Sequence, residues 1–285
     1  MGDEQGALTG DQAIVRLRAV IAEYHSVLVA FSGGVDSALV ARVAHDVLGD
    51  RATALTAVSP TFPVEELHTA RKVAEEGGFP LLEVEAHELE REGYAANAGD
   101  RCYFCKTELF DLAWVWRDRL GVRHVADGTL LDDLGGHRPG LKAAAEHEVR
   151  HPLVEAGLTK RDVRAAALTL GLSVWDKPSF ACLGSRFPAG TRVTRDKVER
   201  VGRAESALRG LGLRQFRVRW HELGADVLAR VEVDVDDLAL LARPGVREAV
   251  LQAGVDAGFR WVTLDLAGYR NPEQAMRAAL ADDPA

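Results

Sequence analysis

Several features are scarce in this chain, and each shortage narrows what it can be. There are three cysteines, at positions 102, 105 and 182, and no apolar stretch near its start that would serve a secretion signal. A disulfide scaffold is therefore excluded, and the thiols are expected to be reduced and available for metal or chemistry. No run approaches the ~20 apolar residues of a membrane span. The opening "MGDEQGALTGDQ" is acidic and polar, unlike a signal or transit peptide, so a soluble cytoplasmic protein is expected. A basic excess is also missing: the net charge is −8, which counts against a general nucleic-acid binder. Internal repeats and low-complexity segments are absent. No Gly-Lys-Ser/Thr string of the Walker type occurs, and no glycine spacing of the dinucleotide-binding type.

What the 285 residues do contain is 47% hydrophobic and 27% charged side chains, enough for one large domain or two small ones. Short β-branched runs at 26–31, 51–58, 79–86 and 123–129 read as buried strands. Helical spacing fills 36–49, 63–78, 106–121 and 159–171, with Pro at the start of the second, Gly after its end and a Thr cap on the last. Strands alternating with helices predict a doubly wound, mostly parallel α/β sheet over residues 1–187. Beyond that the grammar changes. A helix at 194–212, two alternating strands, a helix and a last strand predict a smaller C-terminal α+β domain over 188–285. The final "ADDPA" is expected to fray. The charge is uneven as well: residues 182–220 hold ten Lys/Arg against three Asp/Glu. A basic island in an acidic chain suits a small anion better than a long polyanion.

The string "SGGVDS", residues 32–37, lies between the first strand and the first helix. Consecutive glycines let the backbone approach a ligand and turn N–H groups inward. The helix that follows presents its positive end to an anion. Ser32 and Ser37 add hydroxyl donors, and Asp36 is suited to a bridging Mg²⁺ rather than to phosphate itself. A tight turn with Ser37 as helix cap is the plainer alternative. Cys102 and Cys105 form a C-x-x-C, and Cys182 follows 77 residues later. The pair alone fits a redox couple, half a zinc site or the corner of a cluster. Three thiols without an evident fourth ligand fit a [4Fe–4S] cluster with one open iron, or three inert buried cysteines. Arg217 and Arg219, two apart on a strand, share a face and suit a mononucleotide phosphate.

"SGGVDS" resembles the signature of the PP-loop, or N-type ATP pyrophosphatase, superfamily, whose fold is adenine nucleotide alpha hydrolase-like. The resemblance implies cleavage of ATP to AMP and pyrophosphate, with AMP attached to a carboxyl or carbonyl oxygen and then displaced by ammonia or sulfur. Further blocks, "DRCYFCK", "DGTLLDDLGGHRPG", "EVRHPLVEAGLTKRDVR", "WDKPSFACLGSR" and "FRVRWH…ARVEV", extend the likeness over about 27–270. Together they resemble the LarE family, ATP-dependent sulfur transferases that build the nickel-pincer nucleotide cofactor of lactate racemase.

That resemblance implies adenylation of pyridinium-3,5-dicarboxylate mononucleotide and formation of thiocarboxylates. ATP contacts fall on Ser32, Gly33, Gly34, Val35, Asp36, Ser37, Asp127, Gly128 and Arg138, with Mg²⁺ on Asp36, Asp132 or Asp133. Cys182 is either a third cluster ligand or a sacrificial sulfur donor; the presence of all three cysteines favours the cluster. Ser185 and Arg186 are candidates to orient a substrate carboxylate. Lys106 is placed to steer anions or favour a thiolate. Glu205, Arg217, Arg219 and Asp236 match the family's substrate site. After "LDLAGYR" the chain reads "NPEQAM" where a Gly-Ser-Met-Asn-like turn is expected, and no contact is carried over there. A small nucleotide substrate and further copies of the same chain are the expected partners, with no nucleic acid and no membrane. The competing readings are a PP-loop tRNA thiolation enzyme, an amide-forming synthetase, and a nucleotide sensor without turnover.

Overall fold

A computed structural model describes residues 8–135, 139–178, 180–213 and 215–270. The chain divides into two compact units, Met1–Phe180 and Ala181–Ala285. Arg138, the "NPEQAM" stretch and the terminal "ADDPA" lie outside the described residues.

The first unit is built on four short parallel strands: β1 (Val27–Ala30), β2 (Ala52–Val58), β3 (Leu81–Glu85) and β4 (His124–Ala126), in the spatial order β3-β2-β1-β4. All four residues of β1 are buried, because helices cover both faces of the sheet. Val27 and Val29 join one core, where α1 (Gly10–Ala22), α2 (Val35–Leu48), α3 (Val64–Gly77), α7 (Pro152–Glu155) and α8 (Lys160–Thr169) pack. Leu28 and Ala30 face the other core, with Phe110 and Ala113 of α5 (Arg101–Leu120) and Ala143 and Ala144 of α6 (Pro139–Glu146). The short α4 (Glu92–Ala96) precedes α5.

The second unit contains α9 (Arg195–Gly210), the antiparallel pair β5 (Phe216–Leu223) and β6 (Asp226–Val233), α10 (Leu238–Leu241), α11 (Val246–Asp256) and β7 (Trp261–Leu264), which lies parallel to β6. It is the smaller α+β sheet that the alternation of residues 214–235 predicts. No helix among the described residues is long and apolar enough to cross a membrane.

The helix predicted over 106–121 starts five residues earlier, at Arg101, so the C-x-x-C lies inside α5 and not ahead of it. The sequence signal fails there because "RCYFCK" has no apolar period of its own. The predicted Thr cap on α8 is present as a full capping box. Thr159 Oγ1 accepts from the Asp162 amide, and the Asp162 carboxylate accepts from the Thr159 amide.

This cap fixes the start of α8, so Thr159→Ala is expected to cost about 1 kcal/mol of stability. Thr159→Ser should cost much less. Urea midpoints of the two variants against the parent chain check this.

Candidate active site

The strand order reverses direction between β1 and β4, and a ligand crevice in such a sheet opens beyond the carboxyl ends of those strands. The segments that leave β1 and β4 there are 31–34 and 127–129. Phe31 is pinned to β2: its amide donates to Leu55 O at 2.8 Å and its carbonyl accepts from Thr56 Oγ1 at 2.8 Å. Gly33 then turns with φ +73°, and a Cβ there would stand 3.1 Å from the Ala70 side chain of α3. Gly34, not Ser37, is the N-cap of α2, and no side chain caps this helix. Ser37 is buried and clasps the loop from inside: its Oγ donates to Gly34 O at 3.2 Å and accepts from the Ser32 amide at 3.2 Å. Val35 is buried in the core, so it offers an anion its amide alone. The result is a loop pinned by hydrogen bonds, leading into the first turn of a 14-residue helix uncapped by any side chain.

The β4 segment closes on this loop. A Cβ on Gly128 would fall 2.7 Å from the Ser37 amide nitrogen, so only glycine lets the two segments meet. Asp127 beside it is buried. Its carboxylate accepts from Thr129 N, Thr129 Oγ1 and His151 Nδ1, and Lys106 Nζ stands 3.8 Å away. His151 is brought there because residue 150 bridges to Ala126, extending the sheet edge past β4. Burial pushes the Asp127 carboxyl up, but the His151 hydrogen bond and the Lys106 charge outweigh it, leaving the group below the usual carboxylate range.

Asp36, on the first turn of α2, receives Lys160 Nζ on both carboxylate oxygens at 2.7 Å. Burial nonetheless holds its carboxyl above the usual range, against the pull of Lys160 and with Asp133 adding to the rise. Lys177 stands nearby, its Nζ 2.6 Å from Glu66 and 3.4 Å from Gly33 O. Sequence reasoning passed over Lys160, Arg164, Lys177 and Glu66. One signal was there: a lysine in the first position of a helix sits at the positive end of the dipole, where cations are disfavoured.

Of the acids expected to hold Mg²⁺, Asp36 stands on the first turn of α2, while Asp132 and Asp133 each accept from a backbone amide. Asp132 accepts from the Lys160 amide at 3.0 Å, satisfying the start of α8, and Asp133 accepts from the Leu130 amide at 3.1 Å. Among the described residues no three His, Cys, Asp or Glu side chains lie close enough together to hold a metal ion. Asp36 offers one carboxylate on the first turn of α2, and a Mg²⁺ ion commonly takes one or two carboxylates together with phosphate oxygens. Cys102 and Cys105 lie one turn apart on α5 and share its side, the first exposed and the second half-buried. Cys182 belongs to the second unit.

In the second unit Cys182 is the residue before a single 3₁₀ turn, Leu183–Arg186. Arg186 is 1% exposed and forks onto Glu205, with Nε to Oε1 and Nη2 to Oε2 both at 2.8 Å. Its remaining nitrogen, Nη1, donates to Ala181 O, Cys182 O and Ser185 Oγ. Glu205 also accepts from the Val218 amide on β5. Arg186, expected with Ser185 to orient a substrate carboxylate, is turned inward onto Glu205 and holds the turn that carries Cys182. Arg219 donates to Glu232 and to Ser185 O, both at 2.9 Å. Arg217 is 7% exposed, stacks over Tyr269 at 5.0 Å and donates to Phe216 O, but makes no ion pair among the described residues. Burial, and then the Arg186 charge, pull its guanidinium down from the usual arginine range. Asp236 is exposed on the 3₁₀ turn Val235–Asp237.

The parallel sheet with helices on both sides and the uncapped glycine loop at its switch point define the class: a nucleotide-using enzyme core of the PP-loop kind. The sequence profile described as NAD synthase matches residues 12–99, which contain this loop. A protein of unknown role from Synechocystis sp. (strain PCC 6803) is 43% identical over 261 residues, 92% of this chain and 96% of its own. The pyridinium-3,5-bisthiocarboxylic acid mononucleotide synthase of Lactiplantibacillus plantarum is 38% identical over 259 residues, 90% of this chain and 91% of its own. The tRNA-specific 2-thiouridylase MnmA of Caulobacter vibrioides is 30% identical over 194 residues, 53% of this chain and 50% of its own. The chain belongs to the family of the Lactiplantibacillus synthase, the LarE family of ATP-using sulfur transferases.

Two outcomes follow from this geometry. Glu205→Ala leaves a buried guanidinium without its counter-charge and is expected to destabilise the protein by about 3–5 kcal/mol, read as a fall in thermal midpoint. Asp127 has its carboxyl below the ordinary value, so its ionised form stabilises the fold above about pH 4 and that contribution is lost as pH falls through the folded value. Asp127→Asn should then be less stable than the parent chain at neutral pH, with the gap narrowing on acidification in denaturant titrations.

Proposed function

We propose that this protein converts the carboxylates of pyridinium-3,5-dicarboxylate mononucleotide into thiocarboxylates at the expense of ATP, a step of nickel-pincer cofactor synthesis that serves lactate racemase. The observation that carries the reading is the match, along nine-tenths of the chain, to a synthase of that product. The geometry supports it from both units. The loop 32–37 offers glycine-freed amides and a helix start to the polyphosphate. Buried Arg217, without an ion pair among the described residues, together with Arg219, supplies charge for a substrate phosphate. Ser185 and Arg186 set the Cys182 turn, so their part in the reaction is to position the sulfur chemistry.

The reaction divides into two displacements. A substrate carboxylate oxygen attacks the α-phosphorus of ATP, and pyrophosphate leaves with the electron pair of the broken P–O bond. A sulfur nucleophile then attacks the carbonyl carbon of the acyl adenylate, and AMP leaves. The loop binds the first leaving group and lowers the barrier by favouring its charge. A Mg²⁺ ion held by Asp36 and phosphate oxygens would neutralise part of that charge.

Three free thiols are right in kind and number for a [4Fe–4S] cluster with one open iron, for which Cys102, Cys105 and Cys182 would be the ligands. Such a cluster would supply a site for the sulfide to be transferred. We place the work in the cytoplasm and assign it to a homo-oligomer. The partial likeness to a tRNA thiouridylase makes tRNA thiolation the second reading, and the net charge of −8 weighs against it.

Asp36→Ala is expected to abolish AMP formation with the dicarboxylate nucleotide while the circular dichroism spectrum stays unchanged. Unchanged turnover would remove Asp36 from the mechanism. Anaerobic purification with iron and sulfide is expected to yield iron and labile sulfide in about equal amounts. Absence of both, with the Cys182 peptide lighter by one H₂S after turnover, would establish the sacrificial route, and tRNA retained at low salt would favour thiolation of tRNA.

A further inference from the structure

The loop 32–37 contains no cation, and Asp36 brings a negative charge to a place meant for polyphosphate. Walker-type loops solve this with a lysine inside the loop; here that lysine is missing from the string. The tertiary structure brings positive charge in from α8. Lys160 is the first residue of that helix, where its own dipole opposes an ammonium group. It is held there by the Thr159 capping box and by Asp132, which accepts from its amide at 3.0 Å. From this fixed start its Nζ reaches across 124 residues of sequence to both oxygens of Asp36.

Arg164 follows one turn later on the same helix. Its Nε is buried and has no hydrogen-bond partner, and the side chain makes no ion pair among the described residues. A buried guanidinium nitrogen without an acceptor is costly to keep. Four residues on, Arg164 shares the helix face of Lys160, whose Nζ meets Asp36, and its charge is felt by that carboxyl. The two residues differ in what they show. Lys160 has a carboxylate as its partner, and Arg164 has a buried donor, Nε, without an acceptor.

We infer that Lys160 and Arg164 form the cationic grip on the polyphosphate of ATP and on the pyrophosphate that leaves, α8 supplying the charge that the loop lacks. Without ligand, Lys160 neutralises Asp36; with polyphosphate bound, the same ammonium meets phosphate and releases Asp36. Arg164 turns its unsatisfied edge to the phosphate oxygens, where a planar fork binds well. This assignment rests on the reading of the loop as an ATP site.

The test is calorimetric binding of pyrophosphate, ATP and AMP to the full chain and to Lys160→Gln and Arg164→Gln. Arg161→Gln, which removes a neighbouring exposed charge of the same helix, is the control. Loss of one charge-assisted contact is expected to weaken pyrophosphate and ATP about tenfold or more in each variant, with AMP changed little. Arg161→Gln should bind as the parent chain does. Arg164→Lys, which keeps the charge, should recover part of the loss and covers the case of a glutamine variant that does not fold. Equal binding of pyrophosphate by parent and Arg164→Gln would overturn the grip. A parallel fall in AMP binding would also overturn it, by showing a structural role. A parent chain that binds neither ATP nor pyrophosphate would instead sink the ATP-site reading itself.

Discussion

The contact between Lys160 and Asp36 ties together the starts of two helices, α2 and α8, that leave the chain 124 residues apart. Much of the first unit's chemistry is arranged around it. The start of α2 is the anion cradle, and the start of α8 is where Thr159, Asp162 and Asp132 spend their polar groups. A half-buried carboxylate with one ammonium partner is a contact of modest strength that depends on being shielded from water. Burial holds the Asp36 carboxyl above its ordinary range even with Lys160 on it.

The second unit uses the opposite arrangement. Arg186 and Glu205 are fully buried, forked onto each other, and supported by Val218 N and by the carbonyls of the Cys182 turn. Taking two such charges out of water brings no large gain by itself, but removing one of them is severe. What the pair provides is a defined position for a short turn bearing a thiol. Arg217 is buried with Tyr269 over it and makes no ion pair among the described residues. The two units thus carry two kinds of ion pair, one half-buried between two helix starts and one fully buried behind a turn.

Much of the fold was legible because its signals are local. The β-branched run of β1, the capping box of α8 and the change of period past residue 187 are each written in residues close together in the chain. Element starts were less legible where composition carries no period, and the C-x-x-C was accordingly read as preceding α5 when it sits within it. The loop 32–37 was recognisable from its glycines. The Mg²⁺ assignment to Asp132 and Asp133 could not be checked from the sequence, because whether an acid faces a ligand or caps a turn depends on backbone amides the string does not display.

The sequence by itself determined the alternation of strands and helices, the glycine cradle, the three thiols and the basic island, since each is written in neighbouring residues. Only the tertiary structure decided which charges meet. Lys160 finds Asp36, Arg186 spends itself on Glu205, and Arg217 and Arg164 go without an ion pair among the described residues. Periodicity fixes what lies on one face of one element, while ion pairing is fixed by how separate elements pack, and a side chain's charge becomes a binding group or a structural tie according to that packing.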